Sequence, residues 1–324
     1  FLTEPISFVK ESVAELEDSK EPSNEMDDLQ AAALHGLHGV LVGMDWLRGG
    51  ELVFDRGLAP HYERWAVCIA EVVKRHPQIF SRSIPAEPDW VALLKTRPQL
   101  SYYLPLLQAS LAGMPEVLTG ESPATDIIFP QGSTHLVDSV YGQNDSADLF
   151  NETLARNLVE LARRRDDQEE RVRIIEIGSG TGSTAIKILE AFAVAAIPLE
   201  YVFTDLSPGL VLQAKKRFAA YRDRIVFLIC DIEAGWPVES GVTAAADFVV
   251  AVNVLHATRL ITETLYHVKS LLRPGGCVVI SEMVDSSDYM TMTFGLLEGW
   301  WHFEDSALRI PGSPLLSRAT WKQT

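Results

Sequence analysis

Cysteine is scarce in this 324-residue chain, and the three present, Cys68, Cys230 and Cys277, are too far apart for a CxxC pair. An odd, scattered set indicates neither a disulfide framework nor a thiolate zinc site, and its natural setting is a reducing compartment, the cytoplasm. Basic side chains are also short, with 28 Lys and Arg against 44 Asp and Glu and a formal charge of -16. Such a charge repels phosphate backbones and anionic bilayers, so neither nucleic acid nor membrane is an expected partner. Most of it, -12, falls in residues 1–150. No apolar run approaches the roughly 18 residues of a membrane span. The opening FLTEPISFVKES lacks an initiator methionine, a basic n-region and an apolar signal core, and reads as an excerpt from something longer. His35 and His38 stand three apart without a carboxylate or cysteine constellation, so packing or surface roles are expected and no metal site.

What is abundant is apolar surface. Hydrophobic residues make up 47% of the chain, enough for sizeable cores, and the length suits two domains. Residues 1–125 show apolar spacings of three and four in FVKESVAEL, LQAAALHGLHGVLVGMDWL, YERWAVCIAEVVKRH, PDWVALLKT and LSYYLPLLQASLAG. Pro77, Pro85, Pro88, Pro98 and Pro115 punctuate them, which predicts a helical subdomain without strands. Residues 126–170 read as a connector interrupted by Pro130, Gly132 and Gly142, then an amphipathic helix ending in a mixed-charge run.

From 171 to 324 the pattern changes to an alternation of strand and helix. RVRIIEIG, YVFTD, RIVFLICD, DFVVAVNVLH and GCVVISEM are near-continuous apolar runs with helical stretches between the first three and between the last two. Runs of this kind are strands buried on both faces, and single crossovers make neighbours parallel, so a doubly wound α/β sheet is predicted. Ligands of such sheets bind at the carboxyl ends of the strands. There the first strand runs into Gly178, Gly180 and Gly182 of EIGSGTG, a turn that lets a ligand approach the backbone closely. Ser183 replaces the last glycine of a dinucleotide fingerprint and Glu176 stands where an apolar residue is usual, which favours S-adenosylmethionine over NAD. Asp205 at the second strand end is placed for ribose hydroxyls, and Asp231 at the third for an adenine amino group; each alone could equally be a cap or turn residue.

EIGSGTG, FTDLSPGL, NVLHATR, LLRPGG and GLLEGWWHFED, with FPQGSTHLVDSVY before them, resemble the methyltransferase domains of polyketide synthases, above all the C-methyltransferase domains of fungal non-reducing synthases. The resemblance covers residues 126–324 with specific motifs. It implies a class I S-adenosylmethionine-dependent, Rossmann-like fold with an N-terminal helical subdomain that covers substrate. The implied reaction is methyl transfer to the α-carbon of a β-ketoacyl chain held on the phosphopantetheine arm of an acyl carrier domain, within a synthase of several domains, with S-adenosylhomocysteine as product. Glu176, Gly178, Ser179, Gly180, Thr181 and Gly182 fall on implied cofactor positions, as do Asp205, Leu206, Asp231, Ile232, Asn253 and Val254. His256 and Glu282 fall on the implied catalytic pair. One departure is length: such sheets continue past the fifth strand, yet only 42 residues follow Glu282, so the core reads as cut short at its C-terminus.

Carbon methylation needs a base near the sulfonium methyl group, and histidine is the side chain that ordinarily titrates closest to neutrality, at about 6.5. His256 follows the fourth strand and Glu282 ends the fifth, so both are expected on the ligand rim, the carboxylate fixing the tautomer of the imidazole. An acidic carrier domain would avoid the -12 half; Arg163, Arg164, Arg165 and Lys215, Lys216, Arg217 are the candidate landing points. The same residues also fit an O- or N-methyltransferase of small molecules, or an inactive methyltransferase-like scaffold domain.

Overall fold

The computed structural model describes residues 24–55, 57–142, 145–165 and 171–324. The helix expected from FVKESVAEL lies outside them. The chain divides into two compact units, one ending at Val140 and resuming at Val284, the other spanning Tyr141–Met283.

The first unit is built on helices α1 (Asn24–Gly43), α2 (Glu63–Arg75) and α3 (Leu104–Leu118). In α2 the apolar residues Trp65, Ala66, Ile69, Val72 and Val73 fall on one buried face, as their three-and-four spacing requires. Asp89 starts the short helix Trp90–Thr96 by accepting the Ala92 amide at 2.9 Å. Two readings are corrected here. Helix α3 continues through Pro115 to Leu118, where an end had been expected. A two-residue hairpin, Leu47–Arg48 with Glu51–Leu52, turns on Gly49 and Gly50, both at positive φ, although no strand was expected in this half. His38 is fully buried, edge-on to Phe80.

The second unit begins at the end of α4 (His135–Gly142), a helix where a connector had been expected, and continues into α5 (Asp145–Arg163). Its sheet contains β1 (Val172–Ile177), β2 (Leu199–Asp205), β3 (Ile225–Ile229), β4 (Ala246–Val252) and β5 (Leu272–Ser281). The connecting helices are α6 (Ser183–Val194), α7 (Pro208–Arg217) and α8 (Ile261–Ser270). All four pairings are parallel and the order is β3-β2-β1-β4-β5, so the sheet is doubly wound, with its reversal between β1 and β4. One face is covered by α5 and α6, whose Leu154, Leu158, Ile188, Leu189 and Phe192 pack in one apolar cluster with Val172, Ile174, Tyr201 and Phe203.

Residues 284–324 group with the helical unit and not with the sheet. The segment holds α9 (Asp288–Met292) and α10 (Arg318–Gln323). Tyr62 donates to the Leu296 carbonyl at 2.7 Å, Trp65 Nε1 to the Thr291 carbonyl at 3.1 Å, and Arg75 to the buried Asp288 carboxylate at 2.7 Å. These partners lie more than 200 residues apart in the chain.

At the amino ends of the strands, Asp247 is 4% exposed and binds three elements. It accepts the Arg173 amide of β1 at 2.7 Å, Arg165 Nε lies 3.0 Å away, and Arg273 Nη2 of β5 lies 2.5 Å away. Arg165, whose side chain is 9% exposed, is therefore structural and no surface landing point. We expect Asp247→Ala to cost about 3 kcal/mol, because it strands two guanidinium groups beside a buried site. The urea midpoint of the sheet unit should fall while ligand affinity at the opposite rim stays unchanged.

Candidate active site

At the carboxyl rim, β1 passes into a turn in which Gly178, Gly180 and Gly182 have φ of 59, 54 and 81°. A Cβ on Gly178 would lie 2.3 Å from Val254 Cγ2 and one on Gly182 2.6 Å from Phe218, so packing as well as backbone conformation demands glycine. At Gly180 the nearest atom would be the Gly178 carbonyl oxygen at 3.9 Å, and that side of the turn is open. Asp205, at the end of β2, holds the turn: Oδ2 accepts the Gly180 amide at 2.9 Å and Oδ1 the Ser207 amide at 2.8 Å. Burial raises its carboxyl above the ordinary range, against the pull of those two amides.

Glu176 is 2% exposed, and its carboxylate receives the Tyr201 hydroxyl at 2.7 Å. Burial pushes its carboxyl up to about 7; the Tyr201 hydroxyl opposes the shift and the Asp205 charge adds to it. The Ser179 hydroxyl is drawn into the fold, donating to the Glu176 carbonyl and accepting the Thr204 amide, each at 3.3 Å. The Thr181 hydroxyl pairs with Ser183 at 3.1 Å, and its carbonyl accepts from Arg217, one of the expected landing points.

Beyond β3, Asp231 is exposed and its Oδ1 accepts the Glu233 amide at 2.9 Å, the turn role weighed against adenine recognition. Ile232 is buried, its carbonyl 2.8 Å from His267 Nδ1. Leu206 and Ile229, at the ends of β2 and β3, are 65% and 51% exposed. Apolar side chains left in water beside a carboxylate suit a flat base with polar edges, which recovers the lost burial. Together with the open side of Gly180, this set fits an adenosyl ligand. Ile229 was not singled out from sequence; its apolar neighbours in RIVFLICD hid that it alone in the strand is left exposed.

Beyond β4, Asn253 takes φ 49°, and the chain then makes a single 3-10 turn, Leu255–Ala257. Glu282, directly after β5, binds this turn. Its Oε1 accepts the Val254 and Leu255 amides at 2.9 and 2.8 Å, and its Oε2 lies 2.6 Å from His256 Nδ1. A carboxylate only accepts, so Nδ1 carries the proton and Nε2 is left as the basic nitrogen. Both side chains are buried, at 6% and 2% exposure. Asn253 Oδ1 accepts the Met283 amide at 3.0 Å, so its acceptor is used within the fold. Burial, and then the Glu282 charge, raise the phenol of Tyr141, a residue missed in the sequence. Its place in a connector-like stretch hid it. Among the described residues no group of three or more His, Cys, Asp or Glu is placed to hold a metal, and no helix is long and apolar enough to cross a membrane.

Residues 175–278 match the methyltransferase domain family. Over 67% of its length the chain is 41% identical to the polyketide synthase PksM of Bacillus subtilis strain 168, spanning 5% of that protein. Over 68% it is 34% identical to the non-reducing polyketide synthase mapC of Penicillium roqueforti strain FM164, spanning 9%. The citrinin polyketide synthase CMeT domain superposes on 92% of this chain and 81% of its own, with a TM-score of 0.80 at 25% identity. The trans-methyltransferase CalH, solved in complex with SAH, covers 93% of this chain and 83% of its own, with a TM-score of 0.68 at 27% identity. The DszA carbon methyltransferase covers 97% of this chain and 85% of its own, with a TM-score of 0.81 at 31% identity. Since that likeness takes in the helical unit as well as the glycine turn and the sheet, the chain belongs to the carbon methyltransferase domains of polyketide synthases.

Proposed function

We propose that this domain methylates the α-carbon of a β-ketoacyl chain carried on the phosphopantetheine arm of an acyl carrier domain of its synthase, with His256 as general base. The observation that carries the reading is the 2.6 Å contact between His256 Nδ1 and Glu282 Oε2. The carboxylate holds the imidazole in one tautomer, so Nε2 can take the acidic α-proton and leave a nucleophilic enolate carbon. As the imidazolium forms, the buried negative charge of Glu282 stabilises it. S-adenosylmethionine, when bound, supplies a sulfonium methyl group to that carbon and departs as S-adenosylhomocysteine. Asp205, Asp231, Leu206, Ile229 and the Gly180 side of the turn would hold it, and CalH in complex with SAH supports this choice of cofactor. Three free thiols accord with a reducing, cytoplasmic setting.

Turnover of a β-ketoacyl thioester with labelled cofactor, followed by location of the methyl group, tests the reading; a methyl on oxygen or nitrogen overturns it. His256→Ala should lower turnover by about 10²- to 10⁴-fold with nearly unchanged cofactor affinity. Near-normal turnover removes His256 from the reaction. Glu282→Gln should lower turnover about as severely, by up to about 10⁴-fold. If its carbonyl keeps the Val254 and Leu255 amides, its NH₂ faces Nδ1 and forces the proton onto Nε2, the wrong tautomer for a base.

Asp205→Ala should weaken cofactor binding by roughly 1.5–3 kcal/mol in a calorimetric titration, through loss of charge-assisted hydrogen bonds to the ligand and of the clamp on Gly180. An unchanged Kd reduces Asp205 to a structural tie.

Glu176 gives a pH signature. Its folded carboxyl is raised from 4.5 to about 7, so the folded state holds the proton more tightly than the unfolded one. The stability this lends the cofactor-free protein is fully present at low pH and is lost as pH rises towards about 7. Glu176→Gln, a neutral isostere, should therefore raise the thermal midpoint above the parent's at pH 8, and the gap should close on acidification to about pH 5. Equal midpoints at pH 8 contradict the account.

A further inference from the structure

Between β4 and β5 the backbone ladder runs to the pair Val252 and Ser281, and beyond it side chains continue the pairing. The Asn253 amide donates to the Ser281 carbonyl at 2.9 Å. Glu282 then reaches one way, to the Val254 and Leu255 amides and to His256. Asn253 reaches the other way, its Oδ1 taking the Met283 amide at 3.0 Å. The residue that carries the carboxylate is thus held on both sides, at Ser281 and at Met283, by one residue of the opposite loop. Asn253 also makes the bend, at φ 49°, that redirects the chain from the strand into the turn carrying His256. Asparagine meets both demands, since it is enriched in the left-handed region and carries a carbonyl acceptor on a short side chain.

We propose that Asn253 is a positioning residue for the His256 and Glu282 pair, acting by clamping the backbone on either side of Glu282, and is not a contact of the cofactor. The carboxylate has only one position from which it reaches two amides and an imidazole at once. A misplacement of about 1 Å in a catalytic group costs on the order of 10²-fold in rate. A clamp on the backbone of Glu282 therefore acts on the base without touching the substrate. The proposal rests on the role of His256 and Glu282 given above, and three of its readouts do not depend on turnover.

The test compares the parent domain with Asn253→Gly, which keeps the left-handed bend and removes the side chain with its acceptor. In proton NMR the parent should show a downfield resonance from the His256 Nδ1 proton bound to Glu282, assigned by its loss in His256→Ala. Asn253→Gly should broaden or abolish it. Calorimetric affinity for S-adenosylhomocysteine should stay within about threefold of the parent, and kcat should fall by about tenfold or more. In the unsubstituted domain the Met283 amide should exchange slowly with deuterium, a measurement that needs no variant and survives any failure of Asn253→Gly to fold. A rapidly exchanging Met283 amide overturns the clamp. An intact downfield proton with affinity weakened tenfold or more makes Asn253 a cofactor contact, and an intact proton with unchanged affinity leaves it a simple cap. If the proton signal and Met283 exchange behave as expected while His256→Ala retains turnover, the clamp stands and the general-base reading falls.

Discussion

The Glu282 carboxylate is the constraint on which the rim of the sheet depends. It sits after the last residue of β5, with its side chain buried, and its two oxygens close three bonds to the loop after β4. Two of them satisfy amides at the start of a one-turn helix whose N-cap residue, Val254, gives no side-chain cap. The third fixes a histidine ring. Burying a carboxylate without a cation is costly, and the cost is met by backbone amides and an imidazole whose geometry is thereby determined. Positioning and the proposed proton chemistry are in this way carried by the same interaction.

The neighbouring strand ends show the same economy with different partners. Asp205 ties the glycine turn to β2 through the Gly180 and Ser207 amides, while Glu176 beneath it has a tyrosine hydroxyl and no cation among its named partners. One carboxylate is thus held by amide dipoles at the surface of the crevice and the other is pushed towards its neutral form by burial. Two acids one strand apart have environments that separate their chemistry, which is how a site can bind a cationic ligand without leaving two unpaired charges in its absence. The amino ends of the strands resolve the same problem with Asp247 and arginines, well away from the rim.

Much of the sheet was legible because its rules are local. Buried parallel strands read as runs of Ile, Val and Phe, and the sites at their ends follow from chain order once the crossovers are right-handed. For that reason Glu176, Asp205, His256 and Glu282 could be placed on one rim before any coordinates. Side-chain direction was less accessible. Ser179, Ile232 and the acceptor of Asn253 share the rim sequence with the residues proposed to hold the ligand, yet each is used by the fold, as a 3.3 Å bond to Thr204, a buried side chain and a 3.0 Å bond to Met283 show. Arg165 looks like surface charge in RRRDD until Asp247, 82 positions later, is brought against it.

Sequence by itself determined the doubly wound sheet, the glycine turn and the candidate base with its carboxylate, since each is written in a period, a spacing or a residue type that has few other uses. Tertiary structure alone decided that residues 284–324 fold with the helical unit and that the Tyr141 phenol feels the Glu282 charge. It alone also decided which rim residues turn inward. The physical reason is the distance along the chain: Tyr62, Trp65 and Arg75 find Leu296, Thr291 and Asp288 only after more than two hundred residues have been laid down, and no local pattern encodes such a meeting.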